Sequence, residues 1–186
     1  MESRLKDLRV YLSGPCENAP EDGATWRKQI TPFLKDELGL TVLDPTCKPF
    51  KLSFSPNEED EFKIVRNLRT EGKYQELAKC MREVVHVDLR MIDSSDIVIC
   101  QLDADQPTYG TIDELVVACG QKKPVYLCCK QGLQYIPLWL WGRIPYNYIF
   151  KSLNEIKTRL LRIATCNSTI LPQVTDKRWL FLNGAK

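Results

Sequence analysis

Apolar residues recur along this chain with two spacings, and each spacing predicts one kind of secondary structure. Short runs rich in β-branched and aromatic residues, bounded by Gly, Pro or Asp, predict strands. Apolar residues three and four positions apart predict helices that bury one side. The predicted strands are 8–13, 40–44, 96–101, 124–129 and 146–150. The predicted helices are 24–37, 74–94, 111–121 and 152–164.

Strands separated by helices favour a parallel sheet covered by helices on both faces. We therefore expect an α/β fold, a Rossmann/flavodoxin-like three-layer sandwich with a five-stranded, mainly parallel sheet. Ligands of such folds bind at the carboxyl ends of the strands. That rule places Ser13-Gly14-Pro15 and the 102–111 loop at one rim. Gly14 permits a close approach of the backbone to a ligand and Pro15 fixes the turn, although most Gly-Pro pairs are only turns.

The length of 186 residues fits a single domain, 1–186, with one core. The stretch 46–72 is polar and too irregular to assign, and it is longer than an ordinary connection. Such insertions are often lids or face substrates. A C-terminal tail begins near residue 165 and contains an apolar run, 179–182, to which the pattern assigns no role.

The net charge of +2 offers no basic face for a nucleic-acid polymer. The chain has no apolar stretch of about 18 residues, and its first residues, Met1-Glu2-Ser3-Arg4, do not resemble a signal peptide. We expect a soluble, cytoplasmic protein that does not contact a membrane.

Cysteine and histidine restrict the chemistry. The eight cysteines form no C-x-x-C motif, which favours free, mostly buried thiols. His86 is the only histidine, so triads with a histidine base and metal sites with several histidines in one chain are excluded. Carboxylates, hydroxyls and amides must then do the chemistry, and we expect no metal or cofactor.

Two carboxylates stand at positions that cost free energy. Asp88 interrupts the apolar stripe of the predicted helix 74–94, and Glu114 follows the strand 96–101 and its turn. A charge on a buried stripe costs several kcal/mol unless it is paired, protonated or facing a cleft. The pair is therefore interpreted as the floor of an active site. Apolar surroundings should raise the pKa of Asp88, whereas a helix start should keep Glu114 ionised.

Each of these residues also has a purely structural interpretation. Thr111-Ile112-Asp113-Glu114 matches the capping box, in which the glutamate only completes a helix start. Asp88 can lie at a helix edge if the helical register is slightly different. Tyr11 alternates with apolar neighbours, as a residue packed in a sheet does.

The combination of motifs is more specific than its parts. Tyr11-Leu12-Ser13-Gly14-Pro15, Asp88 with Asp96-Ile97-Val98, Gly110-Thr111 with Glu114-Leu115 and Ala118, and Lys123-Pro124-Val125 occur in that order. This pattern resembles the nucleoside 2-deoxyribosyltransferase family from about residue 8 to 150. The resemblance omits the 46–72 insertion and the tail.

The resemblance implies roles for individual residues. Glu114 corresponds to the glutamate that attacks C1′ of the sugar and forms a covalent deoxyribosyl-enzyme. Asp88 corresponds to the aspartate that handles the proton of the departing base, and Tyr11 to the tyrosine that positions the nucleophile. Asn147 corresponds, with a one-residue gap, to an asparagine that contacts the sugar 5′-hydroxyl in a neighbouring subunit's site. The family also implies a homo-oligomer whose partners are a small-molecule nucleoside or nucleotide substrate and a nucleobase.

One position departs from the transferase pattern. Thr108 stands where the transferases carry an aspartate, and Gln106-Pro107-Thr108-Tyr109-Gly110 resembles the Q-P-S-x-G loop of the related nucleoside 5′-monophosphate N-glycosidases. In those N-glycosidases the hydroxyl helps to hold the phosphate. In this chain the resemblance implies the same role for Thr108 and the backbone amides of the turn, together with an arginine such as Arg27 or Arg143. Asn147 instead favours an unphosphorylated substrate, because it resembles the transferase asparagine that contacts the sugar 5′-hydroxyl.

Three functions follow, in order of preference. The first is cleavage of the N-glycosidic bond of a 2′-deoxynucleoside, with transfer of the sugar to another base. The second is hydrolysis of a (deoxy)nucleoside 5′-monophosphate, and the third is an inactive nucleotide-binding sensor. The expected catalytic residues are Glu114, Asp88 and Tyr11. The expected substrate-binding residues are Ser13, Gly14, Pro15, Thr108, Gly110 and Asn147.

Overall fold

The computed structural model describes residues 3–17, 19–49, 51–55, 60–106 and 109–165. Five parallel strands form one sheet in the order β2-β1-β3-β4-β5. The strands are β1 (Arg9–Ser13), β2 (Thr41–Leu43), β3 (Ile97–Leu102), β4 (Val125–Cys129) and β5 (Ile149–Phe150). The expected three-layer α/β sandwich is confirmed.

Six α-helices flank the sheet in the described part of the chain. They are α1 (Ala24–Pro32), α2 (Glu61–Thr70), α3 (Tyr74–Ser94), α4 (Tyr109–Gly120), α5 (Leu138–Arg143) and α6 (Leu153–Thr165). A π-helical turn, Phe33–Glu37, continues α1, and a short 3₁₀ turn, Tyr146–Tyr148, precedes β5. The sequence predicted β5 three residues too long because that turn carries strand-favouring aromatic residues.

The central strands are fully buried because helices cover them. Val98, Ile99 and Cys100 of β3 are 0% exposed, as are Val10 and Leu12 of β1. Continuous apolar strands of this kind are typical of parallel sheets. No helix in the described ranges is both long enough and apolar enough to cross a bilayer.

The 46–72 stretch is not irregular throughout. Its second half forms α2, whose Phe62 and Val65 are three residues apart and face inward, Val65 being 7% exposed. This spacing is typical of a helix, but the polar composition of the 46–72 stretch obscured it. The single-domain assignment stays a prediction, and the tail beyond 165, with its apolar run, lies outside the described residues.

The thiols agree only in part with expectation. Cys100, Cys128 and Cys129 are buried free cysteines, whereas Cys16 is a half-buried one. Burial raises the pKa of the Cys16 thiol to about 11, so this side chain stays protonated although it borders the candidate site described below.

Candidate active site

Glu114 is held by two hydroxyl groups of β1. The Tyr11 hydroxyl donates to Oε1 at 2.8 Å, and the Ser13 hydroxyl donates to Oε2 at 2.5 Å. Residues two apart on a strand point to the same face, so β1 presents both hydroxyls to α4. Each oxygen of the carboxylate therefore has a fixed partner, which sets the orientation of the side chain.

The capping-box interpretation of Glu114 is wrong. Helix α4 begins at Tyr109, so Thr111 is already inside the helix and cannot be its N-cap. Glu114 lies in the second turn, beyond the free amides of the helix start. The tertiary contacts with Tyr11 and Ser13, rather than a local cap, occupy its carboxylate.

The pKa of Glu114 is raised, because burial disfavours the charged form. The hydrogen bonds from Ser13 and Tyr11 oppose that effect, and so does the positive charge of Arg27. Glu114 therefore lacks the stabilisation expected from a helix start, and the hydroxyl donors of β1 offset only part of the effect of burial on its pKa.

Asp88 faces a cleft from α3, so it is not simply a helix-edge residue. Its side chain is 18% exposed and borders the same cavity as Glu114. Burial raises the pKa of its carboxyl group to about 7, which agrees with the expectation of a raised pKa. Lys48 acts in the opposite direction, and the charge of Glu114 adds to the rise. At neutral pH this group can hold a proton and can also release it.

A cavity of about 210 Å³ separates the helices from the 13–15 turn. One wall is apolar and comes from α2 and α3, whereas the floor carries the carboxylates. The apolar lining residues are Phe62, Met81, Val84, Val85 and Leu89. An apolar wall facing a few polar groups is the usual composition of a small-molecule site.

Arg27 holds the 13–15 turn from beneath. Its guanidinium is fully buried and donates four hydrogen bonds to backbone carbonyls. The acceptors are the carbonyl oxygens of Leu12, Gly14, Pro15 and Gly23. Arg27 is thus a structural organiser of the turn, and the interpretation as a phosphate ligand is wrong. Arg143 is also absent from the cavity, and it donates to the Val116 carbonyl at 3.5 Å.

Gly14 is required by packing inside the protein. A Cβ atom there would lie 2.9 Å from the carbonyl oxygen of Gln101 and 3.0 Å from the Trp26 ring. Packing against β3 and α1 therefore accounts for the glycine, and the residue also lines the cavity, while its close approach to a ligand stays a prediction.

The structure brings most of the predicted site residues together. Gly14, Pro15, Asp88, Gly110 and Glu114 line the cavity, and Tyr11 and Ser13 lie directly behind Glu114. Asn147 is exposed in the turn before β5 and is not among the lining residues. Thr108 lies outside the described residues.

Lys48 and its partner Glu61 lie beside Asp88, and the sequence pattern did not single them out. Lys48 lines the cavity, donates to Glu61 at 2.9 Å, and has its Nζ 3.7 Å from Oδ1 of Asp88. Both come from the 46–72 stretch, where no periodic pattern marks them as buried.

Two arginine side chains of α2 bind Glu17, which lines the cavity. Arg66 donates to the backbone carbonyl of Glu17 at 2.5 Å, and Arg69 pairs with its carboxylate at 2.7 Å. Glu17 and Phe62 both line the cavity, so these contacts join its two sides.

A family model described as nucleoside 2-deoxyribosyltransferase matches residues 10–167. The chain belongs to the nucleoside 2-deoxyribosyltransferase family. Membership indicates a pentosyltransferase-type enzyme that acts on small-molecule nucleosides. No curated protein matches the chain.

A solved structure of a 2-deoxyribosyltransferase from the psychrotolerant bacterium Bacillus psychrosaccharolyticus is similar to this family member. The two superpose with a TM-score of 0.54 at 22% sequence identity, over 82% of this chain and 95% of that chain. At this identity the likeness shows the shared fold. The functional assignment of individual residues therefore depends on the geometry described above.

Proposed function

We propose that the protein cleaves the N-glycosidic bond of 2′-deoxynucleosides through a covalent Glu114–deoxyribose ester and transfers the sugar to another nucleobase. The observation that carries the proposal is the environment of Glu114. Both of its oxygens are held by hydroxyls of β1 beside a cavity that also contains the protonatable Asp88.

In the first step a carboxylate oxygen of Glu114 attacks C1′ of the sugar. The bond between C1′ and the base nitrogen breaks, and the electron pair leaves with the base. Asp88 donates its proton to the base, which departs neutral, while Asp88 becomes a carboxylate. An anion beneath an oxocarbenium-like centre and an acid on the leaving group divide this work as they do in glycoside hydrolysis.

In the second step a nitrogen of the acceptor base attacks C1′. The ester bond to Glu114 breaks, and the carboxylate returns to its hydrogen bonds with Tyr11 and Ser13. The proton lost by the acceptor nitrogen passes to Asp88, which is then ready for the next cycle. A carboxyl group with a pKa of about 7 serves both directions of transfer at neutral pH.

The second candidate is hydrolysis of a nucleoside 5′-monophosphate, with water replacing the acceptor base. One structural observation favours it: Tyr109 and Gly110, at the start of α4, line the cavity. The free amides of a helix start bind phosphate well. Thr108 immediately precedes these residues in the sequence and matches the phosphate-holding position of the N-glycosidases.

Incubation with a deoxynucleoside and a different free base tests the proposal. A new nucleoside supports transfer, whereas free sugar or sugar phosphate without a new nucleoside supports hydrolysis. Parallel assays with and without a 5′-phosphate identify the substrate class. A protein that binds nucleotides but turns none over is the inactive sensor.

Glu114→Gln tests the nucleophile. We expect it to abolish the covalent adduct, seen by intact-protein mass as one added deoxyribosyl group, and to remove glycosidic activity. Glu76→Gln, on the exposed first turn of α3, is the matched control and should keep both. Unchanged turnover in Glu114→Gln would contradict the assignment.

We also propose a homo-oligomer in which Asn147 serves a neighbouring site. Asn147 is exposed, and Leu138, Trp139 and Tyr146 nearby in the chain are 88%, 80% and 75% exposed. Large exposed aromatic residues are typical of interfaces. A monomeric mass by light scattering would contradict this role for Asn147.

A further inference from the structure

Lys48 and Glu61 form a buried ion pair beside the proton donor. Their charged atoms are 2.9 Å apart, and their side chains are only 2% and 6% exposed. Lys48 also donates to the Pro45 carbonyl at 2.7 Å. Burying two charges costs several kcal/mol, and apolar replacements of such pairs are often equally stable. Stability alone therefore gives no reason for the pair to be here.

The position of the pair relative to Asp88 is specific. Nζ of Lys48 lies 3.7 Å from Oδ1 of Asp88, which is close enough for strong electrostatic attraction but too far for a hydrogen bond. Within the described residues, Oδ1 of Asp88 accepts no hydrogen bond. Glu61 and Pro45 instead accept from Lys48 and hold it in place. Lys48 thus acts on Asp88 as a fixed charge.

The groups that act electrostatically with Asp88 come from six parts of the chain. They are Lys48 of the stretch after β2, Glu61 of α2, Glu114 of α4, Arg27 of α1, Tyr11 of β1, and Cys16 of the turn after β1. Glu114 is bound by Tyr11 and Ser13, and Arg27 is bound by backbone carbonyls. The balance between Lys48 and Glu61 is therefore the part that can be altered without dismantling the nucleophile or the turn.

We propose that Lys48 and Glu61 are positioning residues for proton transfer, in which Glu61 fixes Lys48 beside Asp88 and partly neutralises its charge. This inference rests on the proposed function. An unbalanced ammonium would hold Asp88 as a carboxylate, leaving no proton for the departing base. Without any cation, the carboxylate formed in the first step would be a poorly stabilised buried charge. The Lys48–Glu61 pair, whose net charge is zero, suits both the release of the proton from Asp88 in the first step and its return in the second.

Opposite shifts in two single variants test the proposal. Glu61→Gln leaves the charge of Lys48 unbalanced, so the alkaline limb of the pH profile of kcat/KM should move to lower pH. Lys48→Met removes the cation, so that limb should move to higher pH. We expect shifts of about one pH unit, which is about tenfold in kcat/KM on the alkaline side. Glu61→Asp keeps the charge and should restore a profile close to the original.

The double variant Lys48→Met/Glu61→Gln has no unpaired buried charge, so it remains a test if a single variant does not fold. Its alkaline limb should lie above that of Glu61→Gln and below or level with that of Lys48→Met. The matched control is Glu76→Gln/Lys79→Met, a pair of exposed residues on α3. It should leave the profile and the melting temperature unchanged.

Direct titration of Asp88 separates this inference from the proposed function. Carboxyl-carbon NMR of aspartate-labelled protein, assigned with Asp88→Asn, reports the protonation midpoint even in a protein that turns nothing over. Midpoints that move in opposite directions in the two single variants support the inference. Equal midpoints in all folded variants, with only the melting temperature altered, would overturn it.

Discussion

The Tyr11 hydroxyl donates a 2.8 Å hydrogen bond to Oε1 of Glu114. The two residues are 103 positions apart in sequence, yet this contact and the matching one from Ser13 determine the orientation of the Glu114 carboxylate, the proposed nucleophile. Tyr11 is fully buried, and burial together with the charge of Glu114 raises its pKa well above the ordinary value. It therefore remains a neutral donor throughout the working pH range.

Tyr11→Phe should raise the pKa of Glu114, because it removes a hydrogen bond that favours the carboxylate. Such bonds contribute about 1.5–3 kcal/mol, so the acidic limb of kcat/KM should move up by roughly one to two pH units. The measurement is the pH profile of glycosidic cleavage. Tyr74→Phe, at a position 67% exposed, is the control. An unmoved acidic limb would show that Tyr11 does not stabilise the ionised nucleophile.

Asp88→Asn should make stability less dependent on pH. The folded-state pKa of Asp88 is about 7 against an ordinary 3.8, so the folded state binds the proton more tightly. The stabilisation that arises from the raised pKa of Asp88 is fully present below about pH 4 and is lost as pH rises towards 7. The free energy of unfolding of Asp88→Asn should therefore increase relative to that of the wild type as pH rises, by roughly 2–4 kcal/mol at pH 8.

Urea unfolding at several pH values measures that difference in the free energy of unfolding. The control is Asp36→Asn, which removes an exposed carboxylate of the π-helical turn. A difference between Asp88→Asn and the wild type that does not change with pH would mean that the pKa of the Asp88 carboxyl group is not raised in the folded protein. The same variant should lose most glycosidic activity, because an amide cannot protonate the base.

Arg27→Met should destabilise the protein by about 3–5 kcal/mol. The substitution leaves the carbonyls that Arg27 now binds, including those of Gly14 and Pro15, without their donor. Chemical denaturation measures the loss. Lys28→Met, exposed on the same helix, should be close to neutral. Arg27→Lys should rescue little, because an ammonium cannot reproduce the planar array of donors.

Gly14→Ala should lower both stability and kcat/KM, because the new methyl group would meet the Gln101 carbonyl at 2.9 Å. The Gln101 carbonyl belongs to the backbone of β3 and the Trp26 ring lies 3.0 Å from the same position, so relaxation is limited and the expected cost is about 1–3 kcal/mol. Gly142→Ala is the matched control, since a Cβ atom there would meet nothing within 4 Å. Equal melting temperatures for the two variants would show that the 13–15 turn can move aside.

The sequence was sufficient for most of the elements because their patterns are local. Helix α3 was predicted at 74–94 and is observed over Tyr74–Ser94, with its apolar residues three and four apart. The strand following it was displaced by one residue only. Helix α2 was missed because the polar composition of the 46–72 stretch obscured the helical spacing of its apolar residues, among them Phe62 and Val65.

The sequence by itself determined the alternation of strands and helices, the family resemblance, and the cost of placing Asp88 and Glu114 on apolar elements. Only the tertiary structure decided what accompanies them. Hydroxyl groups of β1, rather than a helix cap, bind the carboxylate of Glu114. Lys48, 40 positions before Asp88 in the sequence, places its ammonium group 3.7 Å from the Asp88 carboxylate. Periodicity records which residues are buried together along one element. Partners across elements depend on how the elements pack, and no local pattern encodes that geometry.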